Sequence, residues 1–173
     1  MAANRQPGNG KNHKRSDIQI VEASGAAQVQ QIHELFGEYA DSLGFDLDFQ
    51  QFAAELDGLP GEYEPPRGVL LLARVSGDPG QTLGCVALRP LAGTVCEMKR
   101  LYVRPAGRGR GIGRLLAEAV IAAARQRGYG TMRLDTVAAM TAANTLYASL
   151  GFRRIGSYRY NPLPDAVYFE LVL

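Results

Sequence analysis

No run of apolar residues in this 173-residue sequence approaches the ~20 that carry a helix through a bilayer, which excludes a membrane-spanning helix. Cysteine is scarce. Cys85 and Cys96 both sit in apolar, strand-like runs, where thiols are more often reduced core residues than a staple, so no disulfide is expected. No set of His, Cys and carboxylates has metal-ligand spacing, no serine sits in a nucleophile-elbow pattern, and no internal repeat is present, so no metal is expected. The opening MAANRQPGNGKNHKRSD lacks the apolar core of an export signal, and the cytoplasm is the expected location.

Lysine and arginine are missing from one whole section. Between Ser16 and Pro66 there is neither, and carboxylates such as Glu34, Glu38, Glu55 and Glu62 dominate. From Lys99 to Arg133 the balance reverses, so the net charge of +2 conceals an acidic and a basic region. If both flank one cleft, the basic part suits a polyanionic ligand and the acidic part a cationic one, since walls of one sign concentrate the opposite charge. Solubility of two unrelated faces is the alternative.

What remains is ordinary for a globular chain: 46% hydrophobic and 21% charged residues, enough for one core. Residues 1–17 carry no apolar period and are expected to be a disordered basic arm, with 18–173 forming a single domain. KNHKR in that arm could touch nucleic acid, but a solvated tail is the expectation, and no nucleic-acid or membrane partner is predicted. Ile18 to Glu22 alternates as a strand, and Val29, Ile32, His33, Phe36 and Tyr39 then recur at helical spacing. His33 falls on the apolar face of that helix and reads as a core or lid residue. A short helix is predicted from Asp48 as N-cap through Leu56, ended by Gly58 and Pro60. GVLLLARV, an SGDPGQ turn and TLGCVAL read as a hairpin, followed by a strand TVCEMKRLYV that stops at Arg104-Pro105. A helix with apolar residues at Ile112, Leu115, Leu116, Ala119, Val120 and Ala123 comes next and ends at Gly128. Met132 to Thr136 is a strand, Met140 to Leu150 a helix closed by Gly151, and Phe152 to Ile155 and Val167 to Val172 are strands.

Between the fourth strand and the Ile112 helix lies RPAGRGRGIG. A glycine-rich turn at a helix start offers unpaired backbone N–H groups to an anion, and the helix dipole adds to the attraction. Gly109, Gly111 and Gly113 permit conformations and close approach that a Cβ would block, while Arg108, Arg110 and Arg114 supply charge. A pyrophosphate would fit. A dinucleotide-binding loop needs a parallel sheet around it, and the preceding strands look antiparallel. An RGG-like nucleic-acid segment needs disorder, and an amphipathic helix follows.

In this order of elements the sequence resembles the GNAT acetyltransferase family, whose cofactor motif Arg/Gln-x-x-Gly-x-Gly/Ala is matched by Arg108, Gly111 and Gly113. CEMKRLYVRP is similar to the family's fourth strand and AANTLYASLGF to its later helix, with Tyr147 and Gly151-Phe152 in place. The resemblance implies an α+β fold, the GNAT acyl-CoA N-acyltransferase fold, with a mixed, mostly antiparallel central sheet flanked by helices. Two central strands splay apart in that fold. It implies acetyl-CoA as acetyl donor, its pyrophosphate on Arg108, Gly109, Arg110, Gly111, Ile112, Gly113 and Arg114 and its pantetheine along the backbone of Leu101, Tyr102 and Val103. One N–H near Tyr102 or Val103 would serve as oxyanion donor. The family's asparagine seven residues before the tyrosine is Met140 here, and Asn144 is the nearer candidate for a cofactor contact.

The implied reaction is direct attack on the thioester, without an acyl-enzyme, by the primary amine of a small cationic acceptor. The alternatives are a peptide or protein acceptor, or a non-catalytic acetyl-CoA-binding module; in each case a monomer or homodimer is expected. An amine of pKa about 10.4 is protonated at neutral pH, so something must take its proton. Glu97, on the cofactor strand, is the first candidate for that base; the alternative is pairing with Lys99 or Arg100. Tyr147 resembles the family's general acid toward the departing thiolate, and the alternative is packing against Ala143. A tyrosine near pKa 10 giving its proton to a thiol near 8.5 works uphill by roughly 2 kcal/mol, so hydrogen bonding to the thiolate carries more of the effect. Glu34 and Glu38, one helical turn apart, and Tyr160, with Tyr158 and Asn161 in the late proline-containing loop, are candidates for the acceptor side.

Overall fold

The structure, a computed structural model, describes residues 17–173. The expected arm therefore lies outside the described residues, apart from Asp17. The chain runs β1 (Ile18–Glu22), α1 (Ala26–Ser42), α2 (Phe52–Asp57), β2 (Val69–Val75), β3 (Asp78–Ala92), β4 (Val95–Val103), α3 (Ile112–Gln126), β5 (Thr131–Val137), α4 (Thr141–Ser149), β6 (Arg153–Ile155) and β7 (Ala166–Val172). Seven strands form one sheet in the order β1-β2-β3-β4-β5-β7-β6, and every neighbouring pair is antiparallel except β4 with β5. This is the mixed, mostly antiparallel sheet expected.

The uninterrupted apolar run of β2 has a simple cause. Val69, Leu71, Ala73 and Val75 face α3, where they pack with Leu116 and Val120. Leu70 and Leu72 face the opposite layer and meet Ile32, Leu35 and Phe36 of α1. A strand covered on both faces needs no polar alternation. Both cysteines are buried and free, one in each layer of core.

Two boundaries differ from expectation. The Asp48 helix is broken: a 3-10 turn at Asp48–Gln50 stops at Gln51, whose φ of 55° is left-handed, and α2 starts afresh at Phe52. The β2–β3 turn is tighter than SGDPGQ, because Gly77 at φ 81° reverses the chain and Asp78 already pairs with Val75.

The splay is the feature that positions the site. β4 and β5 pair only through Val95–Thr131, Cys96–Met132 and Glu97–Arg133, after which their ladder ends. β4 also bulges where it diverges. Lys99 faces Ala87 and Tyr102 faces Cys85, so Arg100 and Leu101 together oppose the single residue Val86, with Arg100 at φ 57°. A bulge of this kind bends a strand and leaves backbone groups unpaired. Gly84, opposite Val103, permits the close pairing here, since a Cβ on it would lie 2.4 Å from the Tyr102 carbonyl oxygen.

Candidate active site

Past the last β4–β5 pair the strands enclose a cleft. Its larger part, about 480 Å³, lies between the end of β4 and α4 and is lined by Leu101, Tyr102, Val103, Arg108, Gly113, Met140, Ala143 and Leu146, among others. Its volume and mostly apolar walls suit a small-molecule arm. The inner part, about 40 Å³, lies in the fork itself and is walled by Lys99 and Arg100 of β4, Asp135 of β5, Gln50, Tyr39 and Tyr147. The two share Tyr39, Leu101 and Met140.

The glycine-rich turn stands at the mouth of the larger part. Gly109 and Gly111 have φ of 73° and 75°, a region that any residue with a Cβ enters at a cost of ~1–2 kcal/mol. Gly111 is the N-cap of α3, and Leu115 N–H makes the first helical bond to its carbonyl, so the amides of Ile112, Gly113 and Arg114 have no helical partner. The Ile112 side chain is core, which leaves only its backbone for a ligand. Nε and one Nη of Arg110 are buried without a hydrogen-bond partner among the described residues. Unpaired buried guanidinium nitrogens beside free helix-start amides are an arrangement that an anion completes. Arg108 donates to the Val103 carbonyl at 3.3 Å, and Arg114 is drawn aside to Glu118 and Ser149. Asn144 spends its amide N–H groups on the carbonyls of Val137 and Ala138, tying α4 to the end of β5, while its Oδ1 is buried and unpaired.

Tyr147 packs in the core and borders the fork. Its ring packs edge-on to Phe152 and tilted on Phe169, at 5.7 and 5.9 Å between centroids. It also walls the fork cavity, and burial raises its pKa above the ordinary tyrosine value.

Glu97 is fully buried and fully engaged. Arg89 donates to one oxygen at 2.8 Å, while Arg159 and the Tyr158 hydroxyl each donate to the other at 2.7 Å. Burial alone would raise its pKa, but Lys99, Arg89 and Arg159 overcome that and bring it down to about 2. Of the expected partners, Lys99 lies on the same face of β4 and acts on Glu97 through its charge without a direct hydrogen bond, while Arg100 turns to Glu55. Arg159 continues the network to Asp135 at 3.9 Å, and Asp135 faces Lys99 at 3.6 Å. Asn161 donates to Asp135 at 3.1 Å, and Lys99 donates to Gln50 at 2.9 Å. Lys99, Asp135, Gln50 and Arg159 carry no local sequence signal, since four separate segments bring them together.

The acidic N-terminal section is not an open acidic wall. Glu38 takes a two-pronged contact from Arg104 at 2.6 to 3.1 Å, Glu55 one from Arg100 at 2.6 and 3.0 Å, and Glu62 pairs with Arg89. Two of these pairs, Glu38–Arg104 and Glu55–Arg100, join the acidic section to the basic one. Glu34 is exposed on α1 and Tyr160 is 79% exposed, and neither they nor Glu38 line the cleft. Of the late loop, Tyr158 and Asn161 face inward instead. His33 lines a separate hollow between α1 and α2.

Comparison with known proteins agrees with this geometry. Residues 29–152 match the model of the acetyltransferase (GNAT) family. An uncharacterized N-acetyltransferase of Schizosaccharomyces pombe is 40% identical over 91% of this chain and 96% of its own length. A candidate acyl-CoA N-acyltransferase of Klebsiella pneumoniae superposes with a TM-score of 0.67 at 30% identity, covering 90% of this chain and 97% of that one. The yncA protein of Salmonella typhimurium, a candidate acetyltransferase solved with its cofactor acetyl-CoA, shares the fold at a TM-score of 0.64 and 21% identity, over 90% of this chain and 94% of its own.

Proposed function

This chain belongs to the acetyltransferase (GNAT) family, and from that premise we propose that it transfers an acetyl group from acetyl-CoA to a primary amine held in the fork between β4 and β5. The observation that carries the reading is the single cleft onto which the glycine-rich helix start, the unpaired edge of β4 and the buried polar fork all open. Acetyl-CoA supplies an acyl group activated as a thioester. The protein's part is to bind, orient and manage protons.

Backbone amides from Gly109 to Arg114, with Arg108 and Arg110, hold the pyrophosphate. The unpaired edge of Leu101, Tyr102 and Val103 takes the pantetheine, and one of its N–H groups polarises the thioester carbonyl. Asn144 Oδ1 is an acceptor for an N–H of the same arm. Tyr147, protonated at neutral pH like any tyrosine and made a still weaker acid by burial, donates a hydrogen bond to the developing thiolate instead of surrendering its proton. Glu97 has a different role from the base first assigned to it. A carboxylate held near pKa 2 is too weak a base for an ammonium, so Glu97 positions Arg159 and Tyr158 over the fork. Since Glu38, Glu55 and Glu62 are neutralised by arginines, the acidic section no longer supports a specifically cationic acceptor.

Titration calorimetry with acetyl-CoA, followed by release of free coenzyme A thiol with a panel of amines, amino acids, aminoglycosides and peptides, tests this. Micromolar binding with turnover of at least one amine is expected. Absence of binding overturns the reading, and binding without turnover across the panel assigns the chain to a non-catalytic acetyl-CoA module.

A further inference from the structure

The fork contains a buried lysine, Lys99. Of the 19 Lys and Arg residues in the chain only Lys11, Lys14 and Lys99 are lysine, so Lys99 is the sole lysine among the described residues. Every other cation of the network is arginine, including Arg89, Arg100, Arg104 and Arg159. Arginine stays charged at any accessible pH, whereas a buried lysine can lose its proton. Among the described residues, Lys99 is the one such side chain lining the fork, where it lies 5% exposed at the wall shared with Tyr147.

The carboxylates nearby are all committed. Glu97 is held on both oxygens by Arg89, Arg159 and Tyr158, Glu55 by Arg100 and Tyr63, and Glu38 by Arg104. Asp135 is held on one oxygen by Asn161 and faces Lys99 and Arg159 with the other. A neutral lysine has two N–H donors and one lone pair. Gln50 Oε1 at 2.9 Å accepts one donor and Asp135 Oδ1 at 3.6 Å faces the second, which leaves the lone pair for a group entering the cavity.

We propose that Lys99 is the catalytic base that takes the proton from the acceptor amine. The inference rests on the reaction proposed above. The N–H bond of the acceptor ammonium breaks, its electron pair stays on nitrogen as the nucleophile, and the proton bonds to Lys99 Nζ. Attack forms the N–C bond and breaks the C–S bond; the second proton, lost from nitrogen as the amide forms, goes to the departing thiolate, and Lys99 returns the first to solvent, so ammonium and thioester give amide, coenzyme A thiol and one proton. Gln50 in the 3-10 turn and Asp135 on β5 face Nζ, Glu97 and Arg100 on β4 and Arg159 in the late loop act on it through their charge, and Tyr39 on α1 and Tyr147 on α4 line the same cavity. Burial lowers the Lys99 pKa more than Glu97 and Asp135 raise it, and it falls to about 8, near the ordinary thiol value of ~8.5.

The test begins with the whole wild-type chain labelled with carbon-13 and nitrogen-15 in lysine, so that Lys99 is titrated by NMR with no acceptor present, its signal identified by its absence in Lys99→Met. Lys99 is expected to titrate near pH 8, below Lys11 and Lys14. A Lys99 that stays protonated to pH 10 overturns the proposal whether or not the variant folds. Kinetics with the amine found in the panel supply the second readout. Lys99→Met and Lys99→Arg are expected to lose ~10²–10⁴-fold in kcat, and with it the rise of kcat/KM around pH 8, while binding acetyl-CoA as the wild type does. Turnover within about threefold of wild type also overturns it. Failure of the wild type to bind acetyl-CoA would instead strike the reading on which the inference rests.

Discussion

The two halves of the cleft are built by opposite means. On the side of the glycine-rich turn, one contiguous stretch from Leu101 to Arg114 supplies the strand edge, the turn and the helix start, mostly through backbone. On the side of the fork, Gln50, Glu97, Lys99, Asp135 and Arg159 come from four segments and act through buried side chains. A backbone cradle tolerates changes in side chains but not in glycine conformation. A buried charge network tolerates neither loss of a partner nor a change in protonation, because each ion left alone bears the full penalty of desolvation.

Substitutions should therefore divide into those that alter stability or turnover and those that alter cofactor affinity. The largest effect is expected at Glu97: Glu97→Ala leaves Arg89 and Arg159 without their buried partner and should cost ~3–5 kcal/mol in a urea denaturation series. The same network gives stability a pH dependence. The Glu97 carboxyl falls to about 2 in the fold from an ordinary 4.5, so its contribution is complete above pH 4.5 and is lost as pH falls through 2, at a cost of roughly 3 kcal/mol. Lys99 adds a second rise of stability at higher pH. Its value drops to about 8 from 10.5, so the unfolded chain binds more protons between those limits and stability rises across that window.

Next in size is Tyr147→Phe, which should lower kcat by ~10²-fold while the acetyl-CoA dissociation constant measured by calorimetry stays within about twofold. Arg110→Ala should do the reverse, weakening acetyl-CoA binding by about tenfold, more at low salt than at high, with kcat preserved. A Tyr147 variant that mainly weakens binding, or an Arg110 variant that mainly slows turnover, would erase the division between the halves. The smallest effect is expected from Glu34→Gln and Tyr160→Ala. Both residues are exposed outside the cleft, and each should change stability by less than about 0.5 kcal/mol and leave the kinetics unaltered.

The same contrast explains what could be read from sequence. The order of strands and helices, the RPAGRGRGIG turn and the Tyr147 helix were legible because each is local: apolar periodicity gives the elements, and glycines next to a helix start identify an anion site without knowledge of the tertiary fold. The splay was implied by family resemblance, and the short β4–β5 ladder bears it out. The acceptor side was misjudged where charge was counted along the chain. Glu38, Glu55 and Glu62 look like a free acidic surface in sequence, yet each finds an arginine of β3 or β4, or of the turn after β4, tens of residues away. Pairings at such separations leave no trace in spacing. The break at Gln51 escaped for a related reason, since the left-handed turn there carries no glycine to announce it.

The central claim is that the strand edge and the glycine-rich helix start form one coenzyme A site, and a crystal structure of the full chain with acetyl-CoA tests it most directly. The account predicts the pyrophosphate on the amides between Gly109 and Arg114, the pantetheine beside Leu101 to Val103, and the acetyl group directed to the fork between Tyr147 and Lys99. Acetyl-CoA bound elsewhere, or with its acetyl group directed away from that fork, would contradict it.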